Sequence, residues 1–315
     1  MPDSAQSRLK ISVWNDIFED SASTASATLP GNDTIEKTGD IVTVWHSADS
    51  AVKPTITTFT QLNVVAAVAG LITALPLRQR ITPSDLLLPA DSFSHTYTLA
   101  WTLAALFTHA SVAVNSVAGP SASLAAASRS VSPTIIIASA STLADFHTET
   151  AAKITSPLHK LGLFTQSQSL SAGRMPGSSL LLPSTTSTDA PGKLRLILTS
   201  DRLDADSPPL SSGILSDLRI FTRARIVYAL TASAVFGAVT QTHVFDYRRE
   251  EGDGHSHFGA PVSSVEIRVV SKGDKEVGKS EPVGELVVSG PAVADGEWRS
   301  GKTAKIGEDG CLGYA

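Results

Sequence analysis

Short apolar runs of strand length alternate along the chain with Ala- and Leu-rich stretches of helix length. Ile41–Trp45 is such a run; a polar turn, Ser47–Lys53, follows it and ends at Pro54. Val64–Ala74 predicts a helix, and Asp85–Pro89 a short buried strand stopped by its proline. Leu99–Thr108 predicts a second helix, Ser111–Asn115 a strand and Ser123–Ser130 a third helix. Pro133–Ala138 (PTIIIA) is a continuous β-branched run, the pattern of a parallel strand buried on both faces. A helix is predicted from near Ser141 to Ile154, and strands over Leu194–Leu198 and Arg225–Tyr228. From Phe258 onward the texture changes. Val265–Val270 and Glu285–Ser289 are β-branched segments separated by Gly and Pro, with no helical period. The fold class read from this order is α/β: a layered βαβ domain with a central, mostly parallel sheet, followed by a smaller antiparallel β subdomain.

Residues 1–40 read as an N-terminal segment and linker, because 21–40 are small, polar and turn-rich. The α/β domain is placed at 41–257 and the β subdomain at 258–315, with an exposed Ser/Thr/Gly/Pro-rich insertion near 165–192. Two stretches, Val64–Leu77 and Leu99–Val114, raise the question of a membrane span. The first is too short, and Thr102, Thr108, His109 and Ser111 make the second expensive in lipid, so both read as buried helices.

With 42% apolar residues the chain can bury a sizeable core. The balance of 25 basic against 30 acidic residues excludes a strongly basic nucleic-acid binder. Arg248-Arg249 is followed at once by Glu250 and Glu251 and reads as a solvated surface run. Cys311 is the only cysteine, which leaves no internal disulfide or thiolate zinc site and fits a reducing, cytoplasmic setting. The first twenty residues lack the apolar core of a signal peptide.

The most specific stretch reads FGAPVSSVEIRVV, then EPVGELVVSGPAVADGEW, then RSGKTAKIGEDGCLGYA. It resembles the adenylate-forming (AMP-binding) superfamily of acyl-CoA synthetases, peptide-synthetase adenylation domains and luciferases. There, G-x-P-x-P-G-x-E-x-R-I-V leads to G-E-x-G-E-L-x-V-x-G-P, then T-G-D and a D-E-D-G-Y-L hairpin. Gly259, Pro261, Glu266, Arg268, Gly284, Glu285, Leu286, Gly290, Pro291, Trp298, Gly301, Glu308, Asp309, Gly310 and Leu312 fall in register with it. Each has a plain structural role too: glycines at turns, prolines at strand edges, EDG as a β-turn. Upstream, Tyr228 and Thr231 match the family's Y-G-x-T-E, while Thr60 and Asn63 match its T-H-x-N-L.

The resemblance implies ATP-dependent activation of a carboxylic acid, of the fatty-acid kind, to an acyl-adenylate and then to acyl-CoA. The implied ligands are ATP with magnesium, a small carboxylate and CoA. It also implies where the machinery should lie. The phosphate loop falls on residues 46–55, where Ser47, Ser50 and Pro54 survive; Asp49 and Val52 replace the glycines, Thr55 replaces the Lys, and Lys53 lies two residues earlier. The magnesium-associated Glu falls on Ala232 and the ribose-binding Asp on Lys302, an ammonium with no lone pair for the ribose hydroxyls. The degenerate nucleotide-binding set is therefore Ser47, Ser50, Lys53, Tyr228, Thr231 and Lys302, with no catalytic residue and no metal ligand. The chain ends at Ala315, after the EDG hairpin, so the family's C-terminal domain with its catalytic Lys and the N-terminal part of its large domain are expected to be missing. The expected function is that of a divergent ligase-family chain without adenylation activity of its own; the alternative is a catalytically dead scaffold for a protein partner, lipid or nucleotide.

Three weaker motifs read as structural. His255 and His257 form an H-x-H in a solvated turn, Ser121 of GPSAS serves as a helix N-cap, and Cys311 is a buried small hydrophobe.

Overall fold

β-branched runs bounded by Pro, Gly and Asp build the strands, and small-residue helices cover them. The computed structural model describes residues 39–45, 54–114, 123–128, 131–177, 182, 193–203, 209–249, 255–270 and 281–314. The chain divides into two units, Met1–Gly39 and Asp40–Ala315; all that follows concerns the second. A hairpin of β1 (Ile41–Trp45) and β2 (Thr55–Phe59) leads into α1 (Gln61–Ala74). Then come β3 (Leu86–Pro89), α2 (Thr96–Phe107), β4 (Ser111–Val112), α3 (Leu124–Ser128), β5 (Ile135–Ser139), α4 (Ala140–Ala151) and α5 (Pro157–Ser171). After these come β6 (Leu196–Arg202), α6 (Ser212–Thr222), β7 (Arg225–Thr231), β8 (Thr240–Gln241) and β9 (Ala260–Pro261). The last strands are β10 (Glu266–Val270), β11 (Val283–Ser289), β12 (Glu297–Ile306) and β13 (Leu312–Tyr314).

The main sheet has the order β4-β3-β5-β6-β7-β8-β9, parallel through β7 and antiparallel at β8 and β9. Its centre is as apolar as the sequence demands: Ile135, Ile136, Ile137, Leu196, Ile197, Leu198, Ile226 and Val227 are all buried. The second sheet is the antiparallel meander β10-β11-β12-β13. The expected α/β class with its antiparallel companion is thus present.

The structure departs from the sequence reading at three places. Residues 165–171 form the end of α5, not an insertion; this helix exposes Leu158, Leu161 and Phe164 and lacks a clean apolar stripe, so its periodicity was weak. The helix α6 was not anticipated, although Ser211 caps it by accepting the Ile214 N–H at 3.2 Å. The strand β9 belongs to the main sheet, which moves the junction between the sheets from 257 to beyond Pro261. The two apolar stretches are α1 and α2, and among the described residues no helix is long and apolar enough to cross a membrane.

At the amino end of the parallel strands one carboxylate fixes three of them. Asp85 precedes β3, Thr134 precedes β5 and Arg195 precedes β6. The Arg195 guanidinium donates to both Asp85 oxygens, from Nε at 2.8 Å and from Nη2 at 2.7 Å, and the Thr134 hydroxyl donates at 2.7 Å. Burial (Asp85 is 4% exposed) would push this carboxyl up. The bonds from Arg195, Thr134 and the Thr82 backbone more than offset that, bringing it to about 2. Its folded-state pKa lies below the ordinary carboxylate value of about 3.9, so its contribution is full above that value and is lost as pH falls toward 2. Urea titrations across pH 5 to 2 are therefore expected to show the parent chain losing about 2 kcal/mol more than Asp85→Asn, most of it below pH 4.

A second lock joins the sheets. Asn63 in the first turn of α1 is buried. Its Oδ1 accepts the Thr60 N–H at 2.8 Å, and its Nδ2 donates to the carbonyls of Pro291 and Val293 at 2.8 and 3.0 Å. Thr60 returns the bond by capping the Asn63 N–H, a reciprocal box at the helix start. Asn63→Ala removes both donations and the bond to the Thr60 N–H, leaving the Val293 carbonyl only the Gly296 N–H at 3.2 Å, and is expected to lower unfolding stability by about 2–3 kcal/mol, read by chemical denaturation.

Candidate functional site

In an open parallel sheet a ligand sits beyond the carboxyl ends of the strands. Here that edge is formed by Pro89 of β3, Ser139 of β5, Arg202 of β6 and Thr231 of β7, with Arg202 and Thr231 as Cα partners in register. Two expected site residues, Tyr228 and Thr231, share β7. The Thr231 side chain is nearly buried and its hydroxyl donates to the Asp201 carbonyl at 3.0 Å. Tyr228 is fully buried: its hydroxyl accepts the Leu210 N–H at 3.0 Å and donates to Asp201 Oδ2 at 3.3 Å. Burial, with Asp201 beside it, pushes the phenol far above its ordinary pKa. Ala232 follows at 1% exposure, its carbonyl taking the Val235 N–H.

Lys302 lies on the other sheet, in β12, and is exposed. The ladder between β11 and β12 shifts register between Glu285 and Val287, opposite Ser300–Lys302. The Ser300 hydroxyl accepts the Lys302 N–H at 3.0 Å and donates to the Lys302 carbonyl at 3.1 Å, while Gly301 takes a positive φ of 67°. This bulge presents the ammonium outward, with no ion-pair partner among the described residues. Ser47, Ser50 and Lys53 lie outside the described residues, as does Ser121. What is described is the pair of strands they connect: Trp45 of β1 and Thr55 of β2 are Cα partners in an antiparallel hairpin.

The methyl group of Ala232, where the resemblance places the magnesium-associated Glu, offers no lone pair to a metal or its water, and the described residues hold no group of three His, Cys, Asp or Glu that could hold a metal ion.

A cluster near the EDG hairpin corrects one surface reading. Arg248 and Arg249 are exposed, as a surface run should be, but Arg248 is also paired: it binds both oxygens of Asp246, pairs with Asp309 and donates to Cys311 Sγ at 3.4 Å. His257 is not in a solvated turn, since its Nε2 is 3.3 Å from Asp246 Oδ2 and its Nδ1 accepts the Gly259 N–H at 3.0 Å. Against the cost of burial, His257 and Arg248 hold Asp246 well below the usual carboxylate range. Cys311, expected as a buried small hydrophobe, is only partly buried; desolvation there raises its thiol. Arg248, His257, Asp309 and Cys311 line an open cavity of about 520 Å³ together with Lys305 and Tyr314.

Four residues at the strand ends escaped the sequence reading: Trp45, Asp91, His95 and Arg202. The Arg202 guanidinium lies 4.8 Å from the centroid of the Trp45 ring, and the His95 ring stacks on the same indole at 6.1 Å, with 2° between planes. Asp91, buried after β3, holds His95 Nδ1 at 2.7 Å and accepts the Thr98 hydroxyl at 3.0 Å. The available signal was positional: a charged residue ending a predicted parallel strand, and an aromatic ending the run before the expected phosphate loop. Tyr228, by contrast, acts in this geometry as a buried strut. Tyr228→Phe is expected to cost about 1–2 kcal/mol of unfolding stability and to leave AMP affinity within twofold, checked by denaturation and calorimetry on one preparation.

A family model described as AMP-binding enzyme matches residues 11–298. Comparison with curated proteins finds no match. Among solved structures, O-succinylbenzoate coenzyme A synthetase (MenE) from Bacillus subtilis in complex with AMP is similar at 16% identity and a TM-score of 0.57, covering 88% of this chain and 50% of that one. The same synthetase with ATP and magnesium matches at 16% identity and a TM-score of 0.58, over 86% and 48%. The inhibitor-bound N-terminal domain of FACL13 from Mycobacterium tuberculosis matches at 13% identity and a TM-score of 0.62, over 95% and 65%. These likenesses are ones of fold, and the chain spans about half the length of the MenE structures. The family model covers most of the chain, and the chain belongs to the AMP-binding enzyme family.

Proposed function

We propose that this chain is a nucleotide-binding member of the carboxylate-activating ligases that does not itself form acyl-adenylate at a useful rate. In the family's reaction a carboxylate attacks the α-phosphate of ATP, pyrophosphate leaves, and a thiol then takes the acyl group. On this reading the adenine nucleotide and an acid of the fatty-acid kind share the carboxyl ends of β6 and β7. The observation that carries it is Ala232: directly after Thr231, where family resemblance calls for a metal-linked carboxylate, the chain places a buried methyl group. Two further features support it. Lys302 brings an outward ammonium to the position of the ribose-binding Asp, and Thr231 already spends its hydroxyl proton on the Asp201 carbonyl.

Replacing two charge-assisted ribose bonds by an ammonium removes roughly 2–4 kcal/mol of nucleotide affinity, or one to three decades. Binding survives in this account; turnover does not, because the charge that develops during adenylation has lost its stabilisers. Carboxylate-dependent ATP–pyrophosphate exchange with fatty, short-chain and aromatic acids is expected to stay at background. AMP binding by calorimetry is expected to tighten at least tenfold in Lys302→Asp. Robust exchange in the parent chain, abolished by Thr231→Ala, would contradict the proposal.

A further inference from the structure

Arg202 is the last residue of β6, beside Thr231 at the edge where a parallel sheet receives its ligand. Its guanidinium lies over the Trp45 indole at 4.8 Å, an arrangement that holds the cation by the ring's negative face. The indole in turn stacks on His95, and the buried Asp91 carboxylate fixes that imidazole through Nδ1. The cation is therefore placed by a chain of three fixed groups.

Among the described residues it has no counter-charge. The nearest carboxylate in sequence, Asp201, accepts the Tyr228 hydroxyl on one oxygen and the Arg202 backbone N–H on the other. Arg202 Nε is buried and meets no acceptor, and no carboxylate among the described residues forms an ion pair with this guanidinium. A partly buried guanidinium costs free energy until an anion meets it, and its planar fork suits a carboxylate or phosphate taken through two parallel bonds.

We propose that Arg202, seated on Trp45, is the oxyanion-binding residue of the strand-end crevice and takes the anionic group of the bound ligand. The proposal rests on the reading that an adenine nucleotide and an acid occupy this edge. It goes further by assigning a positive charge at this edge to β6. The anion has two sources with the same chemistry, the phosphate of the nucleotide and the carboxylate of the acid.

The test is calorimetric titration of the full chain and of Arg202→Ala with adenosine, AMP and decanoate. Circular dichroism and thermal unfolding confirm that the variant is folded, and Arg202→Lys is the conservative companion. Binding of adenosine by the parent chain tests the underlying reading by itself, because adenosine carries no anion; its failure to bind would remove that reading and this assignment together. If Arg202 binds phosphate, AMP affinity falls about 10- to 100-fold in Arg202→Ala while adenosine is unchanged. If it binds the acid, decanoate affinity falls by that factor and AMP is unchanged. Arg202→Lys is expected to recover part of the loss, since it keeps the charge and gives up the fork. Adenosine bound equally by both chains, with AMP and decanoate affinities also within twofold of the parent in Arg202→Ala, overturns the assignment and leaves the nucleotide reading standing.

Discussion

A single buried amide, that of Asn63, ties the two sheets together. Its two Nδ2 donations hold the turn between β11 and β12, while its oxygen closes the start of α1. The same turn is stitched to the loop after β7: Phe236 N–H donates to the Ala292 carbonyl, and Ala294 N–H to the Ala234 carbonyl, around a bridge from Val235 to Val293. The end of β7 at Thr231, with Ala232 after it, is thus held against the antiparallel sheet through backbone bonds. Tolerances here are tight. A Cβ on Gly70 would lie 2.5 Å from the Ser264 hydroxyl, and one on Gly290, already at a positive φ of 132°, would lie 2.7 Å from the Ser264 carbonyl. Sequence drift in this region is limited by packing.

That constraint explains why the signature divides as it does. Three residues in register with the family motif, Gly259, Gly284 and Gly290, sit where backbone meets backbone. Two positions that the resemblance assigns to nucleotide binding differ and lie outside such contacts: Ala232 is a buried methyl and Lys302 an outward ammonium on a bulge. A fold of this kind can outlive its chemistry, because the sheet and the site make separate demands on the chain.

The same separation sets what could be read from the sequence. PTIIIA announced a central strand because burial on both faces leaves only one residue class, and β5 is that strand. The Gly/Pro-punctuated β-branched runs after Phe258 likewise became the antiparallel sheet. α5 was obscured because its Leu158, Leu161 and Phe164 face outward, so hydrophobicity and burial do not coincide along it. In the site, Tyr228 and Thr231 were found by motif, but their duties were not legible: both hydroxyls are directed to Asp201 on β6, a bond created by strand pairing. Arg202 and Trp45 were invisible for the same reason. Neither belongs to a motif, and they acquire meaning only when β1 and β6 bring a cation and an indole together.

On the proposed function, the carboxyl edge of β6 and β7 is a ligand site on a scaffold without working adenylation machinery. Hydrogen–deuterium exchange of the full chain with and without saturating AMP tests this most directly. The expected result is slowed exchange in peptides covering residues 199–203 and 228–233, leaving the core of β10 and β11 unchanged. Exchange unaltered at those strand ends, or slowed only around Arg248 and Asp309, would contradict it.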